Sequence, residues 1–332
     1  MPHISKKLAI FKIALPLLLL TTISNAQTSR LSPTLSIKLD NDYFSLKMRG
    51  NDRYYSNGVL IGASFPADRK NLLDRMCIPT SSEGVAVRSI SVEHQIHTPH
   101  HIGNPDLQVG DYPYAALLVL NYENRAMEST YSFTSKITLG VQGPAAMGKD
   151  IQTALHKRVF HSNIPQGWDY QLPNDLALCY SFTFDKLLYK ESSVEFLGTT
   201  TLKAGTLYNN LTVGSRIRVG RISSYFNAET WLNGGTQSQL YFFAEPYVTL
   251  VKGNSLLEGG PFKSPGGAWG TSKARYYHIH RDLLERIVYG YSWGICYVSN
   301  HFRLALTEHL RSPEIKGVPS HEYASISLGF KL

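Results

Sequence analysis

The sequence predicts an all-β chain: a twelve-stranded antiparallel transmembrane β-barrel with one short helical insertion. Three observations predict it. Apolar and polar residues alternate through about twelve segments, each close to the roughly 9–11 residues of a tilted membrane strand. Tyr and Phe recur near the segment ends, where interfacial girdles form. The final segment, "HEYASISLGFKL", still alternates and carries Tyr323, Phe330 and Leu332, so pairing with the first strand would remove both open edges. A soluble β-sandwich alternates as well; segment length, girdles and the closing strand favour the barrel over it.

Taken in order, the chain opens with "MPHISKKLAIFKIALPLLLLTTISNA". Lys6, Lys7 and Lys12 precede an apolar run from Ile13 to Leu20, and small residues end at Ala26. That is the pattern of a secretory signal peptide cleaved after Ala26, and the run is too short to cross a bilayer. Residues 27–332 are then the barrel. Without the three leader lysines the formal charge of +8 falls to about +5. The remaining positive charge is scattered, which suits an anionic membrane surface and, with no Lys/Arg block, speaks against nucleic acid as a partner. Cys77, Cys179 and Cys296 are odd in number and far apart, which fits neither a disulfide scaffold nor a zinc site.

The first strands read from "TLSIKLDNDYFSL", "YSNGVLIGASF", "VAVRSISVEHQIHTP" and "YAALLVLNYENRA". The β rhythm breaks between Gly143 and Asp175, where the spacing predicts a helix near 147–160. Ile151, Leu155 and Val159 recur every fourth residue as an apolar stripe, and Gln152 and His156, also four apart, share a neighbouring face. "NIPQGW" then stops the helix at Pro165 and Gly167. A second insertion, Asn254 to His280, is rich in Gly and Pro and reads as an extracellular loop.

Candidate chemistry follows. Asn41 and Asp42 are poor strand formers within a strand pattern, and alternation would set them on opposite faces. A carboxylate facing lipid is penalised, so Asp42 should face protein or water, or mark a strand end. Ser56 matches no nucleophile elbow and reads as a turn residue. His156 is the best candidate for a general base. His94, His97, His100 and His101 cluster in "EHQIHTPHH", with no zinc spacing, and suit a polar loop.

In this order, "LDNDYF", "YYSNGVLIGASF", "QIHTP", "GDYPYAALLVLNY", "DIQTALHKRVFHSNIPQGWDYQLPND", "LALTEHL" and "HEYASISLGFKL" resemble the outer-membrane lipid A 3'-O-deacylase family over nearly the whole mature chain. The resemblance implies a Gram-negative outer-membrane barrel that hydrolyses the 3'-position acyloxyacyl ester of lipid A in lipopolysaccharide; the chain is expected to be a monomer. It implies dependence on Ca2+, with Asn41 and Asp42 as catalytic and metal residues, Ser56 as the strand-two hydroxyl and His156 as the catalytic base. Gln152, Trp168, Gln171 and Asn174 match supporting positions. Where the family reads Asp-Arg-Pro-Tyr-Ala-Gly, this chain has Asp111-Tyr112-Pro113-Tyr114-Ala115-Ala116. A Lys after the Thr-Pro step and a Glu after the histidine, present in some members, are also replaced. These departures leave a non-enzymatic structural barrel or small channel as the alternative.

Overall fold

The computed structural model describes residues 32–46, 53–67, 71–79, 84–160, 163–228, 232, 238–262 and 276–332. The predicted leader, the second Asn-Asp pair at 51–52 and the centre of the Gly/Pro-rich insertion lie outside these residues. Twelve strands run β1 (Thr34–Asn41), β2 (Tyr54–Pro66), β3 (Val85–Thr98), β4 (Ala115–Met127), β5 (Tyr131–Gln142) and β6 (Asp175–Glu191). They continue β7 (Val194–Gly205), β8 (Tyr208–Arg221), β9 (Gln239–Asn254), β10 (Ile287–Val298), β11 (Phe302–Arg311) and β12 (His321–Lys331). Each pairs antiparallel with its sequence neighbour, and β12 pairs with β1 to close the barrel. Several strands exceed the length the sequence suggested, β6 reaching 17 residues, because they continue past the membrane-spanning stretch into the rim.

Alternation decides the two faces. On β10, Ile287, Tyr289, Tyr291 and Ile295 are exposed while Val288, Ser292, Cys296 and Val298 are buried. Leu120, Leu139, Leu178, Leu202, Val213, Phe242, Leu250 and Leu306 extend the exposed apolar band around the barrel, as a wall facing hydrocarbon requires. The inner face is polar and paired. Arg218 meets Glu195 at 2.6 Å, Arg216 meets Glu245 at 2.6 Å, and Arg125 meets Asp185 at 3.4 Å. Asp40 accepts hydrogen bonds from the Tyr55 hydroxyl at 2.8 Å and from Ser325 at 2.6 Å. Ser325 bonds in turn to His309, and His309 to Ser292. The three cysteines are buried and unpaired with one another.

An even number of strands sets both termini on one rim. The opposite rim carries most of the long connections, residues 42–53, 99–114, 143–174, 255–286 and 312–320. There Tyr54, Tyr112, Leu257, Ile279, Leu284, Ile315 and Val318 pack into one apolar cluster. At the terminal rim, Val87, Met127, Ala228 and Leu232 form another.

The sequence reading needs correction in two places here. β1 stops at Asn41 rather than running to Leu46, because Asn41 Oδ1 accepts the Tyr43 amide at 2.7 Å and caps a 3-10 turn, Asp42–Phe44. Short amide side chains compete with the ladder in this way. The predicted helix is also shorter: α1 (Gly148–Leu155) is followed by a π-helical turn, His156–Phe160.

Candidate active site

The polar residues of interest lie on the outer face of the wall, and the strand register shows why they belong together. Asn41 stands opposite Asn57, Asn57 opposite Ile96, and Ile96 opposite Ala116. Asp40, one residue earlier on β1, points into the barrel; by alternation this row points out. Its four members are successive register partners across β1 to β4.

At the far end of the row the 143–174 connection folds back against the wall. Ile96, Tyr114, Ala116, Ala146 and Trp168 form one buried cluster, with Ile151 packed on it. α1 starts directly over Ala116. A Cβ added to Gly148 would meet Ala116 Cβ at 2.5 Å and Trp168 Cη2 at 2.6 Å, so only glycine permits this approach. His94 also faces outward, and its Nε2–H donates to the Ala146 carbonyl at 2.8 Å, tying the helix start to β3. Asn174 Oδ1 holds the same segment by accepting the Ala145 amide at 2.7 Å.

The most deeply buried side of α1 is not its apolar stripe, although Ile151 of that stripe packs on the cluster. Gly148, Gln152 and His156 are the buried positions, whereas Val159 is 59% exposed. The π-helical turn shifts the register after Leu155 and takes Val159 off the stripe. Gln152 Oε1 accepts the Trp168 indole N–H at 2.9 Å, and Trp168, fully buried, packs on Tyr114 with ring centroids 4.9 Å apart. His156, 4% exposed, donates Nδ1–H to the Asn163 carbonyl at 2.6 Å. That bond fixes the tautomer: in the neutral ring the lone pair lies on Nε2, the requirement for a base with an oriented ring.

On the wall, Ser56 is 1% exposed and sits within β2, not on a surface turn. It occupies the irregularity where the β2–β3 register shifts between Tyr55 and Asn57. Its Oγ lies 2.5 Å from Thr98 Oγ1; among the described residues it bonds to no imidazole. Asp42 Oδ2 accepts the Arg53 amide at 2.8 Å. The two non-glycine residues with left-handed backbone among those described are Tyr54, φ 61°, and Met147, φ 59°. One lies two residues before Ser56 and the other caps α1. Strained backbone of this kind concentrates at functional sites.

The four clustered histidines do not converge. His94 and His97 are on β3, three residues apart and therefore on opposite faces of the wall, while His100 and His101 follow in the loop. Among the described residues no group of three or more His, Cys, Asp or Glu is placed to hold a metal. A hard cation would need amide and backbone oxygens as well. Such an oxygen is present: Asn57 Oδ1 is buried without a hydrogen-bond partner, and its residue pairs across the strands with Asn41, the residue before Asp42. Gln171 Oε1 is a second buried oxygen without a partner. The donor set fits an oxygen-seeking ion.

Gln152, His156, Trp168 and Asn174 thus lie on the 143–174 connection, which packs on Ile96 and Ala116, while Asn41 and Asn57 are register partners in the same row, with Asp42 and Ser56 next to them in the chain. Sequence reasoning missed Asn57 and Thr98, and read His94 as a loop residue rather than one on β3 that holds Ala146. The signal for Thr98 lay in the Thr-Pro step that ends β3, and that for Asn57 in its place beside Ser56.

The family described as Outer membrane protein LpxR matches residues 13–332. Among solved structures, LpxR from Salmonella typhimurium aligns with a TM-score of 0.69 at 16% identity, over 90% of this chain and 100% of that one. The β domain of the Bordetella autotransporter BrkA and the KdgM porin align at TM-scores of 0.41 and 0.37, with 9% and 6% identity. They cover 91% and 90% of this chain and 100% and 99% of theirs. No curated protein matches the chain.

Proposed function

The chain belongs to the LpxR family of outer membrane proteins, and from that premise we propose that it is a lipid A 3'-O-deacylase. It acts as a monomer in the outer leaflet, after removal of a leader through Ala26, and hydrolyses the 3'-position acyloxyacyl ester with Ca2+ bound. The observation that carries this reading is the buried His156 ring, its Nδ1–H committed to Asn163, at the end of a helix that packs on β3 and β4.

His156 Nε2 accepts a proton from water, and the oxygen of that water attacks the ester carbonyl carbon; general-base assistance of this type contributes about 10²–10⁴-fold. The proton passes to the departing sugar oxygen when the C–O bond breaks. Asp42 and Asn41 are the residues that would hold calcium, with Asn57 Oδ1 completing the protein oxygens. Bound there, the ion supplies Lewis-acid polarisation of the ester carbonyl. Gln152 and Trp168 fix the helix that carries His156, Asn174 holds its start, and Gln171 offers its buried Oε1 as a further supporting oxygen. Ser56, bonded to Thr98, helps to position substrate, and this pairing favours attack by water over attack by Ser56. A covalent acyl-Ser56 adduct trapped during turnover would overturn the direct-water route.

The test of the activity is mass spectrometry of lipid A from cells expressing the chain, with calcium present or chelated. Loss of the 3' acyloxyacyl mass, abolished by His156→Ala, is expected. Unaltered lipid A in the presence of folded protein would leave the structural barrel or channel.

A further inference from the structure

Arg53 differs from five arginines inside the barrel. Arg88, Arg125, Arg216, Arg218 and Arg311 each meet a carboxylate within 4.0 Å. The Arg53 guanidinium has no such partner among the described residues. Its Nη1 lies 3.4 Å from His100 Nδ1, and its Cζ lies 5.6 Å from the centroid of the Tyr54 ring. The aromatic support is itself braced, with Tyr54 stacked on Tyr112 at 4.3 Å. The His101 ring meets His100 edge-on at 4.4 Å.

Two carboxylates are close, and neither engages the guanidinium. Asp111 accepts the His100 amide through Oδ2 and the Tyr112 amide through Oδ1, both at 2.8 Å. Asp42 accepts the Arg53 amide rather than its side chain. For His100 to accept from Arg53 its ring must be neutral. Burial, with His101 and Arg53 beside it, holds its pKa below the ordinary value even though Asp111 pulls the other way. The result is a half-buried, oriented planar cation on the loop rim, one peptide from the strained Tyr54 and bonded through its own amide to Asp42.

We infer that Arg53, supported by Tyr54 and His100, is a binding subsite for a phosphate monoester on the headgroup of the glycolipid substrate. The inference rests on the proposed function and deepens it. The guanidinium fork matches phosphate oxygens bidentately, and the rim opposite the termini is where outer-leaflet headgroups lie. A doubly charged anion outweighs the two committed carboxylates nearby, which a single carboxylate ligand would not.

The experiment uses the full-length barrel in detergent micelles on a His156→Ala background, so that binding is read without turnover. It compares lipid A carrying its phosphates with the same lipid dephosphorylated. Arg53→Ala should weaken binding of the phosphorylated lipid about 10- to 100-fold, as loss of a charge-assisted hydrogen-bonded pair does, and leave the dephosphorylated lipid unchanged. Arg53→Lys should fall between, keeping the charge but not the fork. Inorganic phosphate should compete with the phosphorylated lipid only while Arg53 is present. Equal weakening for both lipids, no weakening, or phosphate competition that survives Arg53→Ala would each overturn the subsite. Heat-modifiable migration on gels confirms that each variant is folded. Phosphate-selective binding by a chain that deacylates nothing in the active-residue background would remove the proposed function and leave the subsite standing.

Discussion

Asp40 and Asn41 are neighbours on one strand and face opposite worlds. Asp40 looks into the barrel, where Tyr55 and Ser325 donate to it and Lys38 lies 3.0 Å away. Asn41 looks outward, on a face that elsewhere carries Leu, Val, Ile and Phe, and is nonetheless buried, its Oδ1 accepting the Tyr43 amide of the turn that follows β1. Inside, polarity is what a barrel lumen holds ordinarily, and the charges answer one another. Outside, polar groups at a membrane wall are expensive unless sheltered. The contrast teaches that the lumen networks need no explanation beyond folding, whereas the covered outer notch does.

That contrast can be broken, starting from the largest effect. His156→Ala should lower deacylation about 10²–10⁴-fold while the barrel still migrates as a folded species; lipid A profiling reads the loss, and retained activity would end the assignment of the base. Arg218→Met should do the reverse. It removes the 2.6 Å ion pair to buried Glu195 and leaves Lys190, 3.4 Å away, as that carboxylate's remaining cation, a loss of about 1.5–3 kcal/mol. Thermal unfolding in detergent should drop steeply, with activity per folded molecule kept. If activity fell in proportion at temperatures where the barrel is intact, lumen and notch would not be separable.

Gly148→Val tests the helix seat between these extremes. The added atoms collide with Ala116 and Trp168, an overpacking cost of about 1–3 kcal/mol borne by the helix rather than by the sheet. Activity should fall about tenfold with little change in barrel melting, measured on the same sample. The smallest effect concerns pH at the terminal rim. Burial alone would raise the Asp74 pKa, but the Tyr122 hydroxyl, the Asn71 amide and Arg88 outweigh it and hold it below the usual value of 3.8. Because the folded state favours the charged form, the contribution is present above the unfolded pKa and fades as pH falls through the folded one. Hydrogen exchange in residues 71–79 should therefore quicken below about pH 4, and Asp74→Asn should remove that dependence while leaving the loop rim unchanged.

Much of the fold was legible because a barrel wall repeats one rule, apolar out and polar or small in, and the rule shows in strands as distant as β10 and β12. Turn chemistry was less so. The tract from Leu39 to Leu46 alternates well enough to read as one strand, yet the Asn41 side chain captures the Tyr43 amide and ends the ladder. Ser56 looked like a turn residue because Asn57-Gly58 follows it; the β2–β3 irregularity instead buries it against Thr98. His94 and His97 looked like loop histidines, although a three-residue spacing on a strand sends them to opposite faces. The helix was visible but its buried side was not, since a π-helical turn cannot be read from a period of 3.6.

By itself the sequence determined an alternating antiparallel barrel with one helical insertion, and the residue types able to bind an oxygen-seeking ion and to move a proton, because periodicity and side-chain chemistry are local properties. Only the tertiary structure decided that Asn41, Asn57, Ile96 and Ala116 form one outward row with a helix seated at its end. That depends on strand register and on how close Gly148 lets the helix come, and both are set by contacts between residues far apart in the chain.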